Sequence, residues 1–241
     1  MEHQIEDYFE KLSELLNVEQ AEIEGYWNDL TSDQIFLQEI NRIIHNVPEF
    51  SGKQFTHVGE MRVFRCLLYL LTRIKKPETF IETGVHNGMS SAFILLAMLH
   101  NQKGDLYSID LPPIDQRILD QGTNDLPKDK EPGWIIPDYL RTNHKLTLEY
   151  AQIALPDILH DLGNIDLFLH DSDHDYTHIM FEIGLVWHYL IPMGLVIIDN
   201  IEQNNAFADF SRGTSAPSLS ISSFLGQERT WQHGIIQKLL S

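Results

Sequence analysis

Four acidic residues stand at the ends of short apolar runs, and this placement is the main sign of chemistry in the sequence. Glu82, Asp110, Asp171 and Asp199 close the segments "TFIE", "DLYSID", "IDLFLHD" and "GLVIID". Helix-like segments separate these runs, a pattern that predicts a parallel sheet with helices on both faces. Ligands of such sheets bind beyond the carboxyl ends of the strands. We therefore expect the four acids to border one site.

The last two runs also provide an amide, because Asn200 follows Asp199 directly. Adjacent parallel strands would bring Asp171, Asp199 and Asn200 close together. Oxygen ligands without a cysteine are typical of a hard cation, Mg²⁺ first, with Ca²⁺ and Mn²⁺ as alternatives. These three residues are the predicted metal ligands, against the alternative that each acid only forms a turn at a strand end.

The segment "FIETGVHNGMSSAF", residues 80 to 93, places two glycines four apart between a strand and a helix. Gly84 and Gly88 leave the backbone open to a ligand at a helix N-terminus. A third glycine is missing, so the G-x-G-x-x-G dinucleotide fingerprint is not met. Glu82 beside the turn disfavours a pyrophosphate and suits a ligand with a cationic part.

S-adenosylmethionine is such a ligand, since it carries an ammonium and a sulfonium. Ser90 or Ser91 at the helix start could meet its carboxylate, and Asp110 is placed to accept hydrogen bonds from its ribose hydroxyls. From these residues the predicted contacts of the donor are Glu82, Gly84, Gly88, Ser90 and Asp110.

With these motifs, residues 75–205 resemble class I S-adenosylmethionine-dependent methyltransferases. The chain is most similar to the cation-dependent O-methyltransferases that act on catechol and caffeoyl-CoA, and to the group that acts on macrolide and aminocoumarin sugars. Their first motif reads E-x-G-x-x-x-G-x-S, which this sequence matches from Glu82 to Ser90.

The resemblance implies a Rossmann-like fold, a ribose-binding role for Asp110, and a divalent metal held by Asp171, Asp199 and Asn200. After the third strand, where many relatives have Gly-Asp, this sequence has "LEYAQ". Tyr150 occupies the place of that aspartate and is the expected adenine contact, through stacking or its hydroxyl.

Methyl transfer to a hydroxyl needs an acceptor oxygen that is close to the methyl group and partly deprotonated. A metal can position that oxygen and lower its pKa, while a general base takes the proton. His174 lies three residues after Asp171, where the catechol and caffeoyl-type enzymes carry a catalytic lysine. We expect His174 to be this base, against the alternative that it only orients Asp171, and Asp173 to be a reserve base.

The composition of the chain disfavours some classes of binding partner. The chain has 241 residues, with 17 Lys+Arg against 35 Asp+Glu and a formal charge of −18, which disfavours nucleic acid and anionic membranes. The N-terminus lacks the pattern of an export signal, and no window approaches the roughly 20 apolar residues that span a bilayer. The single cysteine, Cys66, excludes an intramolecular disulfide and fits a reducing compartment. We expect a soluble cytoplasmic protein.

The chain is expected to divide at residue 50. Residues 1–50 carry apolar residues at helical spacing, which predicts a helical extension that serves as a lid or a homodimer contact. Residues 51–241 are expected to form the Rossmann-like methyltransferase domain. Within it, segment 112–144 is expected to be a loop insertion and segment 211–220 a surface loop.

The predicted function is a metal-assisted, S-adenosylmethionine-dependent O-methyltransferase that acts on a small molecule, a sugar diol or a catechol-like ring. A nicotinamide-dependent oxidoreductase would share the acid after the second strand, but it lacks a role for Asp199 and Asn200. Two further alternatives are a methyltransferase-like scaffold that binds a partner, and a relative of proteins named as cephalosporin hydroxylases.

Overall fold

A mixed sheet forms the centre of the computed structural model, which describes residues 2–48, 63–112, 126–127, 129–225 and 229–240. Its strands are β1 (Thr79–Thr83), β2 (Asp105–Asp110), β3 (His144–Leu148), β4 (Ile165–His170), β5 (Leu190–Ile198), β6 (Ser218–Leu225) and β7 (Arg229–Gln237). Among these described residues the order in the sheet is β3-β2-β1-β4-β5-β7-β6. Strands β1 to β5 run parallel, whereas β7 pairs antiparallel with both β5 and β6.

Helices cover both faces of this sheet. They are α1 (Glu2–Leu16), α2 (Gln20–Ser32), α3 (Gln34–His45), α4 (Val63–Lys75), α5 (Met89–Asn101), α6 (Ala151–Leu162), α7 (Tyr176–Tyr189) and α8 (Ala206–Thr214). Short 3₁₀-helices span Asp138–Asn143 and Ile201–Gln203. Two helices begin at aspartate caps: Asp33 accepts from the Phe36 N–H before α3, and Asp175 accepts from the Thr177 N–H before α7.

The alternation of side chains along each strand divides the core in two. Phe80 of β1 packs with α1 to α5 on one face, and its neighbour Ile81 packs with α6, α7 and α8 on the other. The predicted doubly wound, mostly parallel α/β sheet with helices on both faces is therefore confirmed, together with N-terminal helices.

The N-terminal helices belong to the first of these two cores. Phe36 of α3 meets Phe93 of α5 edge to face, with ring centroids 5.1 Å apart, and Leu12 of α1 is fully buried. The described residues of the apolar stripes from which the homodimer is predicted, such as Leu12, thus pack within the chain. The dimer stays a prediction, as does the division at residue 50, which lies outside the described residues.

One expected loop is wrong. Segment 211–220 was predicted as a surface loop, but α8 continues to Thr214 and β6 begins at Ser218. The strand forms because "SLSIS" alternates, with Leu219 and Ile221 packing on the core between serines. Of the predicted insertion 112–144, the end that the structure describes buries Ile135 and Ile136.

None of the helices that the structure describes combines the length and apolar character needed to cross a membrane.

We predict that Phe36→Ala lowers the free energy of unfolding by about 3–5 kcal/mol, because it removes a buried ring from the packed core. Phe36 is 1% exposed, whereas its neighbour Ile35 is 75% exposed. The control Ile35→Ala should therefore stay within about 0.5 kcal/mol of the wild type. Urea unfolding followed by circular dichroism measures both. Equal effects of the two variants would contradict the packing of α3 on α5.

Candidate active site

A cavity of about 830 Å³ opens at the carboxyl ends of the parallel strands. It lies where β1 and β4 are neighbours, the point at which the strand order changes direction. Crevices at such switch points are the usual ligand sites of open α/β sheets. Among the residues that line it are Gly84, Asp110, Tyr150, Asp171, Asp173 and His174, all members of the predicted site.

The turn after β1 requires its glycines. Gly84 has φ +86°, and a Cβ there would overlap the carbonyl oxygen of Asp171. The Asp171 N–H donates to the Thr83 carbonyl at 2.9 Å, so the ends of β1 and β4 lie against each other. Gly88 has φ +87° at the start of α5, and a Cβ there would lie 2.6 Å from the Gly133 Cα.

Asp110 holds this turn from the next strand. Its Oδ2 accepts from the Val85 and His86 N–H groups at 2.9 and 2.6 Å, and its Oδ1 accepts from the Leu111 N–H at 2.7 Å. A carboxylate has about four acceptor sites, so one remains for a ligand hydroxyl. Asp110 therefore shapes the cavity wall and can still accept a hydrogen bond.

Tyr150 lines the cavity at the start of α6, and it is preceded by an acid that the sequence analysis missed. Glu149 also lines the cavity, and its Oε1 accepts from the Tyr150 N–H at 2.8 Å. Glu149 directly follows β3, so it shares with Asp110 the position of an acid at a strand end. An acid at the end of a strand is therefore the sequence pattern that could have predicted Glu149 as a site residue.

Glu82 and Ser90 lie away from the large cavity in the part of the chain described. Glu82 is fully buried, and its Oε1 accepts from Ser91 at 2.5 Å and from Ser108 at 2.6 Å. Burial raises the pKa of Glu82 to about 7, against the hydrogen bonds from Ser108 and Ser91, which lower it. Ser90 instead borders a second cavity of about 40 Å³, which also touches Asp171 and Asp199.

The structure brings the two predicted metal acids together with the predicted base. Asp171, His174 and Asp199 each offer a ligand atom, and these atoms lie within 4.8 Å of one another. The Asp199 N–H donates to the His170 carbonyl at 3.0 Å, which aligns the ends of β4 and β5. Asn204 donates to the His174 carbonyl at 2.8 Å and holds the loop before α7.

The other two predicted residues border this acid cluster of Asp171, His174 and Asp199. Asn200 has a left-handed backbone, φ 53°, and its Nδ2 lies 3.4 Å from His174 Nε2. Asp173 is exposed, and its Oδ1 accepts from the Asp175 N–H at 3.1 Å. Asp173 therefore supports the turn into α7 while facing the cavity.

The two acids have opposite pKa shifts. Burial and the neighbouring Asp199 carboxylate raise the pKa of Asp171 well above its usual value. Burial would also raise the pKa of Asp199, but the contact with His233 outweighs it and lowers that pKa. Burial, and then His170, lower the pKa of His174, which favours a neutral ring. A neutral imidazole can accept a proton or a metal.

A buried network beneath the cluster was not predicted. Glu182 of α7 accepts from Thr83 Oγ1 at 2.6 Å, and its carboxylate faces His170 Nδ1 at 2.7 Å and His178 Nε2 at 2.8 Å. Burial raises the pKa of Glu182, but the hydrogen bonds from His170 and His178 outweigh it and lower the pKa to about 2. In the sequence, the sign of this buried network is a glutamate within an apolar helical stripe that includes Ile183.

The strand order, the glycine turn and the cavity at the switch point are together those of a class I methyltransferase fold. The chain belongs to the methyltransferase-domain family, whose model matches residues 81–201, just over half of the chain. The resemblance and the prediction of a methyltransferase are confirmed at this level. No functionally curated protein matches its sequence.

Similar solved structures share the fold over most of their length. The O-methyltransferase TomG from Streptomyces achromogenes, involved in tomaymycin synthesis and in complex with SAM, has a TM-score of 0.57 and 16% identity, with 88% of this chain and 92% of that chain covered. The O-methyltransferase from Bacillus cereus in complex with SAH has a TM-score of 0.56 and 13% identity, with 90% of this chain and 97% of that chain covered. The SAH-bound methyltransferase PaMTH1 from Podospora anserina has a TM-score of 0.53 and 11% identity, with 92% of this chain and 95% of that chain covered.

We predict that Glu82 makes stability fall as the pH rises. Its folded pKa of about 7 exceeds the usual value of 4.5, so the stabilisation is fully present below pH 4.5 and is lost as the pH rises through about 7. The shift corresponds to on the order of 3 kcal/mol. Glu82→Gln, which mimics the protonated acid, should show a flatter decline in urea unfolding between about pH 5 and pH 8. The exposed control Glu14→Gln should follow the wild type; parallel profiles for all three would exclude this role of Glu82.

Proposed function

We propose that the protein is an S-adenosylmethionine-dependent O-methyltransferase that uses a divalent cation and acts on a hydroxyl of a small molecule. The observation that carries this proposal is the acid cluster beside the cavity at the switch point. The family supplies the reaction class, and neighbours with this fold are O-methyltransferases in complex with SAM or SAH.

The donor would occupy the larger cavity. Its volume of about 830 Å³ falls in the usual range for small-molecule sites, about 300–1,000 Å³. Gly84 lines that cavity, Asp110 retains an acceptor site for a ribose hydroxyl, and Tyr150 offers a ring for the adenine. Glu82 would act through Ser91 and Ser108 unless its side chain turns toward the donor.

The acid cluster fits a cation. Burial is the larger cause of the raised pKa of Asp171, and repulsion by the neighbouring Asp199 carboxylate is the next cause. A cation between the two carboxylates would relieve that repulsion. Asp171, Asp199 and the Asn200 amide are oxygen donors suited to Mg²⁺, Mn²⁺ or Ca²⁺. A divalent cation held by them would position the acceptor oxygen and lower its pKa.

His174 would receive the proton. A bound donor would supply the methyl group with its sulfur as the leaving group, and a ring nitrogen of His174 would take the proton that the acceptor hydroxyl loses. The lowered pKa keeps the ring neutral and able to accept it. Asp173, at the mouth of the cavity, is the proposed reserve base.

The acceptor is proposed to be a small diol, of the sugar or catechol type, because vicinal oxygens can chelate one cation. The acceptor would have to share the larger cavity with the donor, because the smaller cavity next to Asp171 and Asp199, lined by Ser90, Arg65 and Trp231, has only about 40 Å³. The formal charge of −18 favours such an acceptor over nucleic acid or an anionic membrane surface, and a cytoplasmic setting is part of the proposal.

The donor site is tested first, by calorimetric titration with S-adenosylmethionine. We expect the wild type to bind it and Gly84→Ala to bind at least about tenfold more weakly, because the new Cβ meets the Asp171 carbonyl at a positive φ. Gly184→Ala is the matched control, since a Cβ at Gly184 in α7 meets nothing within 4 Å, and it should bind like the wild type.

NADH serves as the control ligand in the same titration. Binding of NADH instead of the methyl donor would favour the oxidoreductase. Binding of neither ligand to a folded wild type would overturn the enzyme proposal and favour a scaffold.

The metal is tested with Asp171→Asn. Because this change removes one of two ligand carboxylates, we expect Mn²⁺ affinity to fall by about 10-fold or more and methyl transfer to a catechol or sugar acceptor to be lost. Asp161 on α6 is exposed, so Asp161→Asn is the charge-matched control. This control should keep both its Mn²⁺ affinity and its methyl-transfer activity. Full turnover by the wild type in the presence of a chelator would remove the metal from the mechanism.

His174→Ala separates the two roles open to that ring. A base contributes to turnover, so kcat should fall by about 10²–10⁴-fold while Mn²⁺ affinity is kept. A loss of Mn²⁺ affinity as large as that of Asp171→Asn would make His174 a ligand instead.

A further inference from the structure

The antiparallel strand β7 brings a histidine against Asp199, the buried member of the pair of acids. Strands β5 and β7 pair Ile198 with Gly234, so the next pair outward is Asp199 and His233. Side chains at opposed positions of neighbouring strands lie on the same face of the sheet. His233 Nδ1 accordingly lies 2.5 Å from Asp199 Oδ1.

The rest of the imidazole is held as well. Its Nε2 lies 2.6 Å from Ser223 Oγ on β6, and its ring stacks on Phe64 of α4, with centroids 4.0 Å apart and planes 15° apart. A carboxylate can only accept, so His233 Nδ1 carries the hydrogen that faces Asp199. In the neutral ring Nε2 then accepts from the Ser223 hydroxyl. The surroundings thus select both the tautomer and the orientation of His233.

Burial makes this contact energetically important. Asp199 is 8% exposed and His233 is 3% exposed. Asp199 Oδ1 and His233 Nδ1 contact each other as an ion pair, and neither atom makes a hydrogen bond of good geometry among the described residues. A buried carboxylate oxygen without a partner is costly, so the contact compensates Asp199 and restrains the rotation of its carboxylate.

Ser223, His233 and Asp199 are also the residue types of a serine hydrolase triad. The surroundings oppose a nucleophilic role, because Ser223 is 2% exposed. The cavity that it borders, of about 40 Å³, has room for only a few water molecules. Ser223 therefore orients the ring rather than attacking a substrate.

We propose that His233 is a positioning residue for Asp199, holding Oδ1 so that the carboxylate presents its other oxygen to a divalent cation shared with Asp171. The proposal rests on the proposed metal-assisted function. It assigns a role in the metal site to the hairpin of β6 and β7, which lies outside residues 81–201 of the family match.

The experiment is a Mn²⁺ titration by calorimetry of the full chain and three variants. His233→Leu removes both ring contacts. His233→Asn retains an N–H donor at the position of Nδ1, whereas His233→Gln places its donor near Nε2. We expect the Leu and Gln variants to bind Mn²⁺ about 10- to 100-fold more weakly than the wild type, and the Asn variant to stay within about threefold.

Two further readouts separate positioning from folding. S-adenosylmethionine affinity should be unchanged in all three variants, and urea unfolding reports their stability. A His233→Leu variant that binds Mn²⁺ as tightly as the wild type would overturn the proposal, as would a folded Asn variant as weak as the Leu variant. A wild type that binds the methyl donor but no Mn²⁺ would instead overturn the metal in the proposed function, and this inference with it.

Discussion

Two carboxylates, one buried and one partly exposed, meet at the ends of neighbouring strands, and much of the surrounding structure compensates their charge. Asp171 and Asp199 end adjacent parallel strands, where like charges repel more strongly than they would in water. Burial and Asp199 raise the pKa of Asp171, and Arg65 opposes that shift. His233 faces Asp199 from the next strand. The protein thus supplies positive or hydrogen-bond-donating groups on two sides, and the proposed cation would neutralise the remaining charge.

The backbone that carries these acids is the same backbone that shapes the cavity. Gly84 exists in the turn because the Asp171 carbonyl lies where a side chain would begin. Below it, Glu182 ties Thr83 of β1 to His170 of β4 through one buried carboxylate. A shift of either strand end would therefore disturb the donor cavity and the acid cluster together.

The sequence was sufficient to predict what short-range patterns determine. The apolar runs ending in acids located β1, β2, β4 and β5, and parallel pairing then required Asp171 and Asp199 to be neighbours. The sequence did not reveal contacts that depend on the order of the strands in the sheet. His233 and Ser223 meet only because β7 lies between β5 and β6, and no short-range pattern in the sequence predicts that order. Only the first residues of β6 fall in the segment 211–220 that is predicted as a loop. Glu82 has the sequence position of a ligand contact, but its side chain accepts instead from Ser91 at the start of α5 and from Ser108 of β2.

The placement of β7 also sets the order in which the site can be assembled during synthesis. Every other described helix and strand leaves the ribosome before β7, yet β7 lies between β5 and β6 in the sheet. Until residues 229–237 emerge, β6 has no strand through which to join the sheet, and Asp199 lacks the histidine that compensates it. A nascent chain would thus carry an open sheet edge and an unpaired acid at the same place, and both are resolved by a single strand addition.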